Sequence, residues 1–143
     1  MDFRIAELSD LDLLGKWNRE LIEDEAHSNP MNLDQLKERM KNWIEGDKYV
    51  AHIFSSSDIP VAYSLHKEKE EEIYLRQFFV DRSQRRKGYG KLAVSCLKEK
   101  IWPQNKRLTL DVLSSNERAI DFWRAVGYQD YCVTLEIPPP TKS

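Results

Sequence analysis

The stretch from Ile73 to Leu113 constrains the fold more than any other part of the chain. Ile73–Val80 is rich in aromatic and branched residues and reads as a strand. Leu92, Ala93, Cys96, Leu97 and Ile101 follow at helical spacing, and Pro103 stops that helix. Leu108–Leu113 is strand-like again. Two strands of one sheet joined through a helix run parallel, because a tight turn joins only antiparallel neighbours. The remaining elements must be arranged around that parallel pair.

Upstream, Phe3, Ile5 and Ala6 suggest a short first strand. Ser9, with Asp12 three residues on, is the expected cap of a first helix. Leu11, Leu14, Trp17, Leu21 and Ile22 give that helix one apolar stripe, and Asn29-Pro30 ends the element. A second helix is expected over Leu33–Ile44, closed by Gly46-Asp47. Then the period changes to two. Tyr49–Phe54 and Val61–Leu65 read as strands, and the charged run Lys67–Glu72 as a solvated hairpin turn. Downstream, Asn116 caps a helix over Glu117–Val126, Gly127 supplies a left-handed C-terminal residue, and Tyr131–Ile137 is expected to be a final strand. The order β-α-α-β-β-β-α-β-α-β predicts an α/β (α+β) fold: a mixed, mostly antiparallel central sheet with helices on both faces. The 143 residues suit one domain spanning 1–143, with 137–143 a flexible tail after Pro138-Pro139-Pro140.

Several function classes drop out. No apolar run approaches the ~18 residues of a membrane span. The start, Met1-Asp2-Phe3-Arg4-Ile5, has no basic region leading into an apolar stretch, so no secretory signal is expected. Two cysteines and three histidines, none at i,i+4 spacing, argue against a metal centre and for a reduced, cytoplasmic protein. The net charge of −2 hides an asymmetry. Residues 1–72 hold 9 Lys/Arg against 17 Asp/Glu, a net of −8; residues 73–143 hold 13 against 7, a net of +6. Segment 82–91 supplies +5 of that +6, so the basic excess is one loop and not a broad basic face.

That loop is Arg82-Ser83-Gln84-Arg85-Arg86-Lys87-Gly88-Tyr89-Gly90-Lys91, placed between a strand and a helix. Glycines let a backbone turn tightly and let a ligand come close. The following helix offers unpaired N–H groups and the positive end of its dipole. Together with the cations these make an anion site suited to phosphate or pyrophosphate. A Walker A loop does not fit, since Arg85 stands where its first Gly would be and Leu92 where its Ser/Thr would be. Gly88-x-Gly90-x-x-Ala93 fits a dinucleotide fingerprint, with Asp111 near the ribose-acid distance. The seven-residue basic loop before Gly88, and the short chain beyond it, argue against that reading.

Arg85-Arg86-Lys87-Gly88-Tyr89-Gly90 also matches Q/R-x-x-G-x-G/A, and so resembles the pyrophosphate loop of the GNAT (Gcn5-related) N-acetyltransferases. Ile73–Val80 is similar to that family's central strand. Asn116 to Tyr128 is similar to its N-x-x-A-x-x-[FY]-Y-x-x-x-G-[FY] segment, and the element order is the family's. The likeness is specific over residues 73–131 and topological before that. It implies an acetyl-CoA-dependent N-acetyltransferase acting by direct attack in a ternary complex, with no metal. It implies that Arg85, Arg86, Lys87, Gly88, Tyr89, Gly90 and Lys91 hold the pyrophosphate. Phe79 and Val80 would pair with the pantothenyl amides, and the Val80 N–H would face the thioester oxygen. Asn116, Phe122 and Trp123 would line the pantetheine arm.

The chain departs from the pattern at Trp123, where many members carry a Tyr that protonates the departing thiolate; an indole N–H has no useful acidity. Tyr128 and Tyr131 lie nearby in sequence. Gln77 stands where some members carry a Glu base. The acidic cluster Glu20, Glu23, Asp24 and Glu25 at the end of the first helix is expected to attract a cationic amine, with Glu25 the candidate base and His27 an alternative. A non-catalytic coenzyme A-binding protein of the same fold remains open, and so does a nucleic-acid binder, for which the loop offers only Tyr89 as a stacking residue. The apolar final strand suits a homodimer. No membrane partner is expected.

Overall fold

Among the described residues, five strands form one sheet whose spatial order repeats their order along the chain. A computed structural model describes residues 1–25 and 29–140. The elements are β1 (Asp2–Ile5), α1 (Leu11–Asp24), α2 (Leu33–Glu45), β2 (Tyr49–Ser56), β3 (Ile59–Glu68), β4 (Glu72–Val80), α3 (Tyr89–Cys96), β5 (Arg107–Thr109) and α4 (Glu117–Ala125). β1 to β4 form an antiparallel meander, and β5 joins β4 in parallel. The parallel pair demanded by the strand–helix–strand unit is therefore present.

Each helix lies on the face its apolar stripe selects. Leu14 and Trp17 of α1 and Met40 of α2 bury against Ile53, Tyr63, Leu65 and Phe79. On the other face Ala93, Cys96, Leu97 and Trp102 bury against Phe54, Val61, Ile73 and Leu75, with Trp123 of α4 packed alongside. Removing this much apolar surface from water is the main stabilising term, at about 25 cal/mol per Å². α3 continues through Leu97–Ile101 with wider π-type turns, closed by Trp102 N–H on Leu97 O at 2.8 Å.

Local turn chemistry set most boundaries. Asn32 Oδ1 accepts from Gln35 N–H at 2.9 Å, and Gln35 Oε1 accepts from Asn32 N–H at 2.9 Å, which starts α2 with a reciprocal capping box. Ser57 and Asp58 have φ of 49° and 66°, the left-handed pair that a two-residue hairpin needs. The start of α1 differs from expectation. A 3-10 turn over Leu8–Asp10 precedes it, and Asp10, not Ser9, receives the Glu7 N–H at 2.8 Å. Arg4 fixes Asp10 from the β1 side with two 2.8 Å hydrogen bonds, an anchor that Ser9 could not offer.

Two expected strands are altered. β5 stops at Thr109 instead of Leu113, because its ladder with β4 ends at Tyr74↔Thr109. Tyr131–Ile137 forms no strand. Tyr131, Val133, Leu135 and Ile137 keep their alternation but are 79–97% exposed. A period-two pattern becomes a strand only when an edge is within reach, and the three-residue β5 offers none to it. Part of the expected tail, 141–143, lies outside the described residues, as does His27.

Candidate active site

β4 is paired along most of its length on one side and along a third of it on the other. Toward β3 the ladder runs from Ile73 to Val80. Toward β5 it covers Glu72, Tyr74 and Ile73 alone. A bulge accompanies the opening: Leu65 opposes Gln77 and His66 opposes Leu75, so Arg76 is the extra residue. A bulge bends and twists its strand, which carries the end of β4 away from β5. Asp81 N–H donates to Val61 O at 2.8 Å. By the alternation of an antiparallel ladder, Phe79 then directs its backbone groups to β3, while Phe78 and Val80 direct theirs to the open side. The Phe79 side chain is core, packed at 6.4 Å from both Trp17 and Tyr63.

The basic loop leaves β4 at this opening. Asp81 caps a short 3-10 turn by accepting from Ser83 N–H at 2.8 Å, and also accepts from Trp17 Nε1 at 2.9 Å. Arg86 has φ of 66° and Gly88 of 81°, two left-handed residues separated by one. Such alternation turns successive N–H groups toward one concavity. The first intrahelical bond of α3 is Leu92 N–H on Gly88 O, so the amides of Tyr89, Gly90 and Lys91 remain for a ligand. A Cβ on Gly88 would meet nothing within 4 Å, so the cradle above it is empty space. A Cβ on Gly90 would stand 3.1 Å from Phe122 Cε1, so that glycine lets α4 close over the loop. Free amides, left-handed turns and an open strand edge are what an elongated pyrophosphate-containing molecule requires. The residues present fit that group.

The loop cations divide in two. Arg82 pairs with Asp24 at 2.9 Å and with Glu20 and Glu23 at 3.5 Å. Arg85 pairs with Asp24 at 2.6 Å, donates from Nε to Val80 O at 3.0 Å, and stacks over Phe79 at 5.0 Å. Burial pushes the Asp24 carboxyl up, but hydrogen bonds from Arg85 and Arg82 more than reverse this and hold it below the ordinary range. Glu20, Glu23 and Asp24 therefore tie α1 to the loop, instead of waiting for an amine. Their poor position at a helix C-terminus is compensated by these arginines. Sequence reading missed this clamp, because its partners lie 58 to 62 residues apart. Arg86, Lys87 and Lys91 belong to no ion pair among the described residues.

Aromatic rings form the far wall. Phe78 stacks on Phe122 at 6.1 Å and meets Trp123 edge-on at 5.3 Å; Trp123 meets Tyr128 at 5.4 Å. The Tyr128 hydroxyl is buried without a hydrogen-bond partner among the described residues, and burial raises its pKa, so it is a neutral donor. Tyr131 is exposed and lies under Arg107 at 4.2 Å, away from this cluster. Asn116 caps α4, accepting from Ala119 N–H at 3.3 Å. On the α1/α2 side, Tyr63 donates to Gln77 Oε1 at 2.9 Å in full burial. Burial, reinforced by the charge of Glu25, raises the Tyr63 pKa. Glu25 closes α1, its N–H on Leu21 O at 3.0 Å.

The sequence of residues 4–128 matches the family described as Acetyltransferase (GNAT) family. The chain belongs to that family, which uses acetyl-CoA as cosubstrate. No curated protein matches it by sequence. Among solved structures, it is similar to the tetramutant of BH1408 from Bacillus halodurans, with 22% identity, 97% of this chain and 100% of that one covered, and a TM-score of 0.75. It is also similar to the aminoglycoside N-acetyltransferase AAC(6')-Iy in complex with CoA (13% identity, 96% and 93% covered, TM-score 0.77). A predicted acetyltransferase from Clostridium acetobutylicum, solved with acetyl-CoA, matches at 15% identity (96% and 95% covered, TM-score 0.71). These likenesses establish the fold: the open mixed sheet with helices on both faces is that of GNAT acetyltransferases. Among the described residues, no helix is long and apolar enough to cross a membrane.

Proposed function

We propose that the protein is a cytoplasmic acetyl-CoA-dependent N-acetyltransferase that acetylates a primary amine by direct attack in a ternary complex. The observation that carries this reading is the splayed edge of β4 ending in a loop of unpaired amides. The bound cosubstrate supplies an activated acetyl group: the amine nitrogen bonds to the thioester carbon, the carbon–sulfur bond breaks, and the sulfur leaves as thiolate. Arg86, Lys87, Gly88, Tyr89, Gly90 and Lys91, with the Arg85 backbone, hold the pyrophosphate. The outward backbone groups of Phe78 and Val80 align the pantothenyl arm, in place of the Phe79 pairing expected from sequence. The Val80 N–H stabilises the developing negative charge on the thioester oxygen. Asn116, Phe122 and Trp123 line the arm. Glu25 takes the proton released by the amine, and Tyr128 returns one to the thiolate, the step that the Trp123 indole cannot perform. A thiol pKa of ~8.5 makes the thiolate a tolerable leaving group even without that acid.

Two free cysteines, Cys96 buried and Cys132 exposed, suit a reducing compartment. The exposed alternating arm Tyr131–Ile137 supports a homodimer in which it finds a sheet edge. With Arg82 and Arg85 held by α1, the cations left at the loop suit one small polyanion better than a nucleic acid. Calorimetric titration with acetyl-CoA, paired with an amine panel read by thiol release, tests the reading. Micromolar binding with turnover of an amine supports it. Binding and retention of the thioester without any turnover would establish the non-catalytic reading, and absence of binding would remove both.

A further inference from the structure

Two arginines on the α1/α2 side of the sheet stand outside the ion-pair network. Arg39 comes from α2, and Arg76 is the bulged residue of β4. Their guanidinium carbons lie 4.6 and 4.9 Å from the centre of the same ring, Trp43. Arg76 also lies 5.8 Å from the Tyr49 ring and donates to its hydroxyl at 3.3 Å. Among the described residues the ion-paired arginines are Arg4, Arg19, Arg82, Arg85 and Arg124. Arg39 and Arg76 are not among them. Among the described residues, Arg39 Nε is buried with no hydrogen-bond partner, and its Nη2 makes a 3.3 Å bond to Asn18 Oδ1. Desolvation, followed by repulsion from Arg76, pulls the Arg39 pKa down.

Two guanidinium groups held on one indole against their mutual repulsion, one with a buried idle donor, form a site suited to an anion. Its position relates it to the reaction. Arg76 precedes Gln77, whose side chain receives the Tyr63 hydroxyl. The Tyr63 hydroxyl feels Arg39 and Glu25 in opposite senses. Arg76 and Val80 are four residues apart on β4, about 13 Å of strand. An amine directed to Glu25 and Val80 would therefore place an anionic end toward the arginines.

We infer that the acceptor is an amine carrying a carboxylate, and that Arg39 and Arg76, over Trp43, bind that carboxylate. A guanidinium fork matches the two coplanar oxygens of a carboxylate, and both arginines are held against the Trp43 ring, 4.6 and 4.9 Å from its centre. The inference rests on the acetyltransferase reading for the fate of the nitrogen, but the anion site can be tested separately.

The experiment compares matched acceptors on the whole protein: 4-aminobutyrate with 1-aminobutane, 6-aminohexanoate with hexylamine, and O-phosphoethanolamine and spermidine as contrasts. The carboxylate member of at least one pair should have kcat/KM at least about tenfold higher. Arg76→Gln should raise KM for it about tenfold, leaving the matched plain amine and acetyl-CoA affinity unchanged. Arg39→Met should act in the same direction, and Arg76→Gln, at an exposed position, guards against a variant that does not fold. In parallel, the Trp43 indole resonance, assigned through Trp43→Phe, is titrated with glutarate and 4-aminobutyrate. A saturable shift lost in Arg76→Gln supports the anion site even if no panel amine turns over. Preference for spermidine, a plain amine or O-phosphoethanolamine overturns the inference, as does a Trp43 resonance unmoved by both carboxylates. Failure of acetyl-CoA to bind would overturn the acetyltransferase reading, and the Trp43 titration would still decide the anion site.

Discussion

The two edges of β4 use the same residues in different ways. On the β3 edge the ladder reaches Val80 with one bulge at Arg76, and the backbone groups are spent on structure. On the β5 edge pairing ends at Tyr74, and the backbone beyond it meets no strand, with Val80 O taken by Arg85 Nε at 3.0 Å. The closed side buries even its polar residues, with His52 and His66 stacked at 5.7 Å inside the sheet–α3 layer. The open side keeps loop amides, two left-handed residues and a ring cluster around a gap. The lesson is that binding capacity lies where regular pairing is interrupted, and that the neighbouring closed ladder supplies the rigidity that holds the gap open.

The contrast can be broken most forcefully at Gly88. Gly88→Val puts a β-branched residue at φ of 81° and a side chain into the empty cradle. Calorimetry should find acetyl-CoA affinity reduced by about a hundredfold or more, while circular dichroism shows the sheet intact. Unchanged affinity would detach the loop from the site. Next comes Tyr128→Phe. Loss of a general acid lowers kcat by about a hundredfold at most here, given the good leaving group, with acetyl-CoA affinity unchanged. The melting temperature should hold or rise, because an unpartnered buried hydroxyl is removed. A kcat equal to the parent's would assign the proton to another group.

A smaller effect is expected at Asp24, which joins α1 to the open side. Asp24→Asn frees Arg82 and Arg85; amide exchange over residues 82–90 should quicken and acetyl-CoA affinity fall by no more than about fivefold, since exposed ion pairs contribute about 1 kcal/mol or less. Because its folded pKa is depressed, the Asp24 contribution is complete above the ordinary carboxylate value of about 3.9 and is lost as pH falls through the folded value. The smallest effect on binding belongs to the closed side. Burial, followed by the neighbouring His52, lowers His66 to about 4. The unfolded chain takes up that proton first, so stability declines as pH drops below about 6.5 and this decline ends near the folded value. His66→Leu should flatten part of that slope in thermal melts and leave acetyl-CoA binding at neutral pH unchanged; a shift in binding would mean the two sides are coupled.

Much of this was legible along the chain because its causes are short-range. Asn116 at the cap of α4, Gly127 with φ of 114°, and the paired glycines after β4 all appear where local turn chemistry puts them. The helices α1 and α2 follow their apolar period to within a residue or two. What escaped was long-range. Asp10 displaced Ser9 because Arg4, from another element, holds it. The acidic end of α1, read as a lure for an amine, faces arginines of the loop. Arg76 gave no local signal of a bulge, and neither did its meeting with Arg39 over Trp43.

By itself, then, the sequence determined most of the elements, the parallel pair and the glycine-bearing basic loop between β4 and α3, since hydrophobic period and glycine placement act over a few residues. The tertiary structure alone decided where β4 and β5 part, which cations remain available, and that Tyr131–Ile137 finds no edge within its own chain. Those outcomes depend on ladder registers and charge pairs between residues tens of positions apart, which no spacing along the chain records.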